Sequence, residues 1–139
     1  MASKPLIIVE DDFDDQALLK ELTEQLNPGI KILIFEQGEP VLDYLRKTSD
    51  QPFLIMCDVN MPRMNGLKLR REIVRDEFLR KKSIPFIFVS TSARQAEVDT
   101  AYDLVVQGYF EKGTSYEDLK TKLKLIFDYW ENCKHPNSF

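Results

Sequence analysis

Acidic residues stand directly after two short apolar runs of this sequence. Glu10 and Asp11 follow the run 6–9, and Asp58 follows the run 53–57. Carboxylates that lie close together repel one another and need a cation, and oxygen ligands without His or Cys favour a hard ion such as Mg²⁺. A carboxylate beside such an ion can attack a phosphoryl group and form an aspartyl-phosphate.

A hydroxyl and an ammonium group stand after two further apolar runs. Ser90 follows the fourth run along the chain, and Lys112 follows the fifth. A lysine and a hydroxyl donor can hold phosphoryl oxygens while a metal neutralises the others. Asp58 is the natural nucleophile, because it alone emerges from its apolar run, and the earlier acidic pair then binds the metal.

The other acidic residues near the first run have a simpler interpretation. Asp12, Asp14 and Asp15 are expected to cap a helix or to lie in solvent, as acidic residues after strands commonly do. Helix capping is also an alternative for Asp58 taken alone. The combination of carboxylates, a hydroxyl and an ammonium group at one edge of a sheet favours the chemical interpretation.

Five apolar runs alternate with segments of helical periodicity. Runs of this length predict strands buried on both faces, and the alternation predicts five βα units with helices on both faces of a parallel sheet. Ligands bind at the carboxyl ends of strands in such sheets, so the polar residues are expected to meet at one edge. The predicted strands are 6–9, 30–35, 53–57, 84–89 and 108–111.

Apolar side chains at helical spacing predict five helices between and after these strands. Capping-box spacing, Ser92 with Gln95 and Thr114 with Glu117, predicts the starts of the last two. The apolar stripes are Leu18, Leu22 and Leu26; Val41, Tyr44 and Leu45; Leu69, Ile73 and the Phe78/Leu79 pair; Val98, Ala101, Tyr102 and Val105; and Leu119, Leu123, Ile126, Phe127 and Trp130.

Length and composition predict one soluble cytoplasmic domain spanning 1–139, with a core at about 5–133 and a tail at 134–139 that includes His135. The net charge of −4 gives no reason to expect nucleic acid as a partner. Cys57 and Cys133 match no zinc or redox spacing and are expected to be reduced thiols. No signal peptide is expected before the first strand, and no apolar run is long enough to predict a membrane span.

Four motifs resemble those of the receiver domain of two-component response regulators. The resemblance covers about residues 5–130 and implies a (βα)5 fold with the flavodoxin-like strand order 2-1-3-4-5. It also implies Mg²⁺ as cofactor and a sensor histidine kinase as phosphoryl donor. The motifs are IIVEDD at 7–12, CDVNMP at 57–62 with Asn65-Gly66, FVSTS at 88–92 and YFEK at 109–112.

The resemblance assigns roles at the first and third strands. Asp58 matches the phospho-acceptor. Glu10 and Asp11 match the acidic pair, with Asp11 favoured as the direct metal ligand. Asn60 matches the residue that offers its backbone carbonyl to the metal.

The resemblance also assigns roles at the fourth and fifth strands. Ser90 matches the switch hydroxyl, Tyr109 the aromatic residue that follows its movement, and Lys112 the phosphoryl-binding ammonium. Gly113 departs from the family, which usually has proline there, so the orientation of Lys112 is expected to be less constrained. Serine at position 90 replaces the commoner threonine but keeps the hydroxyl.

The signal is expected to leave through the fourth helix, the fifth strand and the fifth helix, whose arrangement a phosphoryl charge can bias. No second domain is expected after the last helix, so the output is expected to reach a downstream protein or a phosphotransfer partner, without direct DNA binding. Leu125 and Tyr129 lie off the core stripe of the last helix and indicate an interface.

The Phe-x-x-Trp ending at 127–130 and the VSTS segment at 89–92 resemble small response regulators paired with bacterial phytochromes. That likeness predicts a phytochrome kinase and a homodimer through the C-terminal region.

Three other functions remain as alternatives. A hydrolase of the haloacid dehalogenase type also uses a strand-end aspartate with Mg²⁺, but it carries a second carboxylate where this chain has Asn60. A receiver fold can also serve as a phosphorylation-independent adaptor. Nucleotide binding is disfavoured, because no glycine-rich loop follows the first strand.

Overall fold

A parallel sheet forms the centre of the molecule. The computed structural model describes residues 4–134, and within them five strands form this sheet. The strands are β1 (Leu6–Val9), β2 (Ile32–Phe35), β3 (Leu54–Cys57), β4 (Phe86–Ser90) and β5 (Gly108–Glu111). They pair in the order β2-β1-β3-β4-β5, which confirms the expected flavodoxin-like order.

Three strands begin later than the sequence predicts. β2 begins at Ile32 rather than at residue 30, β3 at Leu54 rather than at residue 53, and β4 at Phe86 rather than at residue 84. Pro85 lies immediately before β4 and has no N–H to donate to a neighbouring strand. Its carbonyl still accepts a hydrogen bond from the Ile55 N–H at 2.9 Å, which aligns β4 with β3. The predicted tail lies outside the described residues except for Lys134, and His135 lies outside them as well.

Six helices, rather than the predicted five, occur within residues 4–134. The predicted third helix is divided at Asp76, whose backbone is extended (φ −94°, ψ 111°) and whose carboxylate accepts from the Leu79 N–H at 3.3 Å. The Phe78/Leu79 pair therefore belongs to a short separate helix, in which Leu79 is buried and Phe78 is exposed. The helices are α1 (Phe13–Leu26), α2 (Gly38–Lys47), α3 (Gly66–Arg75), α4 (Glu77–Arg80), α5 (Gln95–Asp103) and α6 (Tyr116–Asn132).

Both predicted capping boxes are displaced. The helix α6 is capped by Ser115, whose hydroxyl accepts from the Asp118 N–H at 3.1 Å, and not by Thr114. The helix α5 begins after Arg94 rather than after Ser92, and the Glu97 carboxylate accepts from the Arg94 N–H at 3.3 Å. The capping-box spacing therefore predicted which loops precede α5 and α6, but it named the wrong capping residues in them.

The sheet lies between two apolar layers. Successive side chains of a strand point to opposite faces, so the fully buried strands β1, β3 and β4 read as continuous apolar runs. Helices α2 to α5 cover one face, and α1 and α6 cover the other. Trp130, at the end of α6, packs against the second layer.

The predicted apolar stripe of α5 is largely solvent-exposed. Ala101 is buried, but Tyr102 is 55% exposed, and Val105, just beyond the helix, is 63% exposed. These two residues therefore form apolar surface rather than core. The prediction was wrong here because α5 is short and lies beside an edge strand, where little of its circumference can be covered.

Arg70 of α3 holds the turn that follows α5. Its Nε and Nη2 donate to the carbonyls of Leu104 and Val105, at 2.9 and 2.8 Å, and its guanidinium lies 5.4 Å from the centre of the Phe86 ring. Val105 has a φ of +58°, an unfavourable conformation for a β-branched residue. Gln107 also donates to the Val105 carbonyl, at 2.9 Å. Burial lowers the pKa of Arg70 to about 10, so the guanidinium stays charged near neutral pH.

The cysteines are both free thiols, as predicted, and Cys57 is buried while Cys133 is partly exposed. Burial, together with the charge of Asp58, raises the pKa of the Cys57 thiol well above its ordinary value. Among residues 4–134, no helix combines the length and the apolar composition needed to cross a bilayer.

Replacing Arg70 with methionine is expected to lower the free energy of unfolding by about 2–3 kcal/mol, because two charge-assisted hydrogen bonds to carbonyls are lost. Urea denaturation measures the effect. Arg71→Met is the matched control, since Arg71 is an exposed neighbour on the same helix and its loss removes the same charge. Equal stability of the two variants would contradict a structural role for the Arg70 contacts.

Candidate functional site

Backbone hydrogen bonds bring the predicted polar residues to one edge of the sheet. The Asp58 N–H donates to the Val9 carbonyl at 3.0 Å, and the Lys112 N–H donates to the Ser90 carbonyl at 2.9 Å. Pairing between neighbouring strands thus continues past the strand ends. The polar residues at the carboxyl ends of β1, β3, β4 and β5 therefore lie at a common edge, as the sequence predicts.

Three carboxylates meet at this edge. Glu10, Asp11 and Asp58 each offer an oxygen within 4.8 Å of the others. Glu10 is 1% and Asp58 8% exposed, whereas Asp11 is accessible to solvent. Asn60 is exposed in the loop two residues beyond Asp58.

One oxygen of Asp58 lacks a partner. Asp58 Oδ1 is buried and accepts no hydrogen bond, the sole such side-chain atom within residues 4–134. A buried acceptor without a partner is costly and needs an explanation. A hard divalent cation between the three carboxylates would satisfy this oxygen, so the oxygen-only donor set fits Mg²⁺ or Mn²⁺.

Gly66, the first residue of α3, lies directly against the backbone of Asp58. A Cβ at Gly66 would lie 2.2 Å from the Asp58 carbonyl oxygen and 2.8 Å from the Phe88 ring. The Gly66 N–H donates to the Val59 carbonyl at 2.9 Å, and the Asn65 side chain caps α3 through the Lys68 N–H at 2.9 Å. These contacts hold the Asp58 loop against the start of α3.

Lys112 is buried and bound to two carboxylates. Its ammonium donates to Glu10 Oε1 and, at 2.9 Å, to Asp15 Oδ2. The sequence prediction for Asp15 as a cap or solvated residue was wrong, since Asp12 caps α1 and Asp15 reaches the site. Gly113 has a φ of +79°, which proline cannot adopt, and the two ion pairs orient Lys112 without it.

Burial decides the direction of the pKa shift at Glu10, and ion pairing decides it at Lys112. Burial raises the pKa of Glu10 to about 7, the ammonium of Lys112 opposes that rise, and the charge of Asp58 adds to it. Burial alone would lower the pKa of Lys112, but its contacts with Glu10 and Asp15 raise that pKa above its ordinary value. Lys112 therefore remains an ammonium ion across the physiological range.

The two predicted switch residues are joined through Ser92. The Ser90 hydroxyl, fully buried, accepts from the Ser92 N–H at 3.3 Å. The Tyr109 hydroxyl donates to the Ser92 carbonyl at 2.6 Å, and its ring lies 5.6 Å from that of Phe88. Burial and the charge of Glu97 raise the pKa of Tyr109 to about 12, so it stays a donor. The sequence marked Ser92 only as a helix cap and missed this bridge.

Known proteins with similar sequences include a response regulator and chemotaxis proteins. The sequence profile of the response regulator receiver domain matches residues 6–124. The chain is 33% identical over 121 residues to chemotaxis protein CheY1 of Helicobacter pylori, covering 87% of this chain and 94% of that protein.

Solved structures of phytochrome response regulators share the fold. The phosphorylated cyanobacterial phytochrome response regulator RcpA superposes with a TM-score of 0.86 at 28% identity, covering 97% of this chain and 99% of RcpA. The Mn²⁺-bound form of Rcp1, a protein of Synechocystis, superposes with a TM-score of 0.83 at 27% identity, covering 96% of this chain and 99% of Rcp1. Profile, sequence and fold agree, and the chain belongs to the response regulator receiver domain family.

Proposed function

We propose that this protein is a response regulator that accepts a phosphoryl group on Asp58 from a sensor histidine kinase, with Mg²⁺ bound beside it. The observation that carries the proposal is the buried Asp58 Oδ1, which has no hydrogen-bond partner and lies beside two further carboxylates. A structural aspartate would have its oxygens satisfied by the protein. An aspartate that awaits a cation and a phosphoryl group would not.

The proposed reaction is a single phosphoryl transfer. A carboxylate oxygen of Asp58 attacks phosphorus, the bond from phosphorus to the kinase's histidine nitrogen breaks, and the electron pair stays on that nitrogen, which takes up a proton. Lys112 and Ser90 donate hydrogen bonds to phosphoryl oxygens. When bound at Glu10, Asp11, Asp58 and the Asn60 carbonyl, Mg²⁺ supplies positive charge that offsets the phosphoryl charge.

The protein is proposed to act as a switch rather than as a turnover enzyme. Asn60 stands where a hydrolase of the haloacid dehalogenase type has its acid/base carboxylate, and an amide cannot transfer that proton. Loss of the phosphoryl group then depends on attack by water on phosphorus, which breaks the bond to Asp58 and releases inorganic phosphate. Family membership supports the switch interpretation as well.

The signal is proposed to travel through the Ser92 bridge. When the Ser90 hydroxyl turns toward a phosphoryl oxygen, it releases the Ser92 N–H, and the Ser92 carbonyl that holds Tyr109 can then move. Tyr109 lies on β5, between α5 and α6. The exposed apolar residues Tyr102 and Val105 lie at the end of α5 and just beyond it. They offer a surface for a downstream protein or phosphotransfer partner.

The kinase is proposed to be of the phytochrome type, because the chain resembles the phytochrome response regulator RcpA in both sequence and fold. An ATP-dependent kinase as donor would place the protein in the cytoplasm. The proposal includes no direct binding of DNA.

A homodimer through α6 is part of the proposal. Leu125 and Tyr129 stand four residues apart on α6 and are 60% and 61% exposed. The Tyr129 ring packs edge-on against Trp130, with ring centres 5.0 Å apart, which orders it for contact. Ordered aromatic and aliphatic side chains on one helix face are typical of an interface.

Incubation with Mg²⁺ and acetyl phosphate is expected to add one phosphoryl mass to the wild-type protein and none to Asp58→Asn, as measured by intact mass spectrometry. Acetyl phosphate replaces the unidentified kinase. Persistent absence of the added mass would favour the phosphorylation-independent adaptor, and repeated turnover of a generic phosphomonoester would favour the hydrolase.

Mg²⁺ affinity is expected to rise about tenfold between about pH 6 and about pH 8, because a proton on Glu10 competes with the metal. The sign follows from the raised pKa of about 7: Glu10 is protonated below it and gains its negative charge as the pH rises through it. Calorimetric titration at several pH values measures the change. Glu10→Gln should bind more weakly with a flatter pH dependence, and a pH-independent wild-type affinity would contradict the prediction.

Leu125→Glu is expected to weaken the proposed homodimer at least about tenfold, because it buries a charge in an apolar contact. Sedimentation of phosphorylated and unphosphorylated protein measures the dissociation constant. Lys124→Glu, next in the chain but on another side of α6, should have little effect. A wild-type protein that is monomeric in both states would rule out this interface.

A further inference from the structure

Asp15 is a carboxylate at the site to which the receiver resemblance assigns no role. Its Oδ2 lies 2.9 Å from the Lys112 ammonium, and its side chain is 36% exposed. The Glu10 side chain, the other partner of this ammonium, is 2% exposed. Lys112 is thus shared between a buried carboxylate of the metal site and a more exposed carboxylate outside it.

The position of Asp15 is set by the first turn of α1. The Asp12 carboxylate caps this turn and accepts from the Asp15 N–H at 3.0 Å. The Gln16 side chain donates to the Glu10 carbonyl at 2.6 Å, which ties the same turn to the end of β1. Asp15 is therefore presented to Lys112 by a helix start that is anchored on both sides.

Lys112 also borders a cavity. The cavity has a volume of about 260 Å³ and is lined by Asp15, Lys112, Gly113, Tyr116 and their neighbours. The buried Oδ1 of Asp58 has no hydrogen-bond partner. The lysine is thus bound to carboxylates other than the one that the proposed reaction uses.

We propose that Asp15 is a positioning residue that competes with the phosphoryl group of Asp58 for the Lys112 ammonium. This inference rests on the proposed function of Asp58. When Lys112 binds a phosphoryl oxygen, that oxygen competes with the Asp15 carboxylate for the position of the ammonium, and any attraction to Asp15 that is lost opposes phosphorylation. Asp15 thereby tunes how strongly the protein holds the phosphorylated state, without touching the reacting atoms.

The size of the effect follows from the exposure of the pair. An ion pair that is partly open to solvent is screened and weak. Removing the charge of Asp15 is therefore expected to tighten binding of a phosphoryl mimic by about two- to fivefold. The change is in equilibrium affinity, so its sign does not depend on how Lys112 affects the hydrolysis rate.

Titration with beryllofluoride, a stable mimic of the phosphoryl group on a carboxylate, tests the inference at saturating Mg²⁺. Asp15→Asn should bind it more tightly than wild type, and the difference should shrink in high salt. Asp14→Asn is the matched control, since Asp14 is the exposed carboxylate next to Asp15 in the same first turn. Asp14→Asn should bind beryllofluoride as tightly as wild type does. A purely structural role would change the unfolding free energy of Asp15→Asn but not its affinity.

Asp15→Glu provides a second variant, because it keeps the charge and should bind close to wild type. Equal affinities for Asp15→Asn and Asp14→Asn, or weaker binding by Asp15→Asn, would overturn the inference while leaving Asp58 as the acceptor. Wild-type protein that neither binds beryllofluoride nor gains a phosphoryl mass would overturn the proposed function itself. The two failures are therefore distinguishable.

Discussion

The site depends on holding like charges together where water barely reaches. Glu10 and Asp58 are almost fully buried, and their repulsion must be offset by cations. The strand order makes this arrangement possible, since β1 and β3 are neighbours and place both carboxylates at one edge. Lys112 comes from the far edge strand and reaches across to Glu10. One ammonium cannot balance the whole cluster, which leaves the site receptive to a divalent ion.

Much of this arrangement is readable from the sequence, because continuous apolar runs and the polar residues that end them depend on strand burial alone. The strand order and the family followed from the motifs and were confirmed. The division of a helix at Asp76, the exposure of Val105 and the contacts of Asp15 and Ser92 were missed. Each depends on packing between segments distant in the chain, or on a loop geometry for which residue spacing carries no signal.

The surface beside β5 is anchored from within the protein. Arg70 belongs to α3, whose first residue packs against the carbonyl of Asp58. Its guanidinium donates hydrogen bonds to the carbonyls that follow α5. One helix therefore touches both the backbone of the proposed acceptor and the turn that carries Val105. This contact runs on the opposite face of the sheet from α1 and α6, so the two faces are tied to the site by separate elements.

The two thiols differ in a way that has a practical consequence. Cys57 is enclosed beside Asp58, and its raised pKa keeps it protonated and unreactive. Cys133 follows α6 and is partly exposed. A thiol-reactive fluorophore or spin label would therefore attach selectively at the end of α6 of the unmodified chain. The protein thus carries its own attachment point for distance measurements, one that leaves the acidic edge of the sheet untouched.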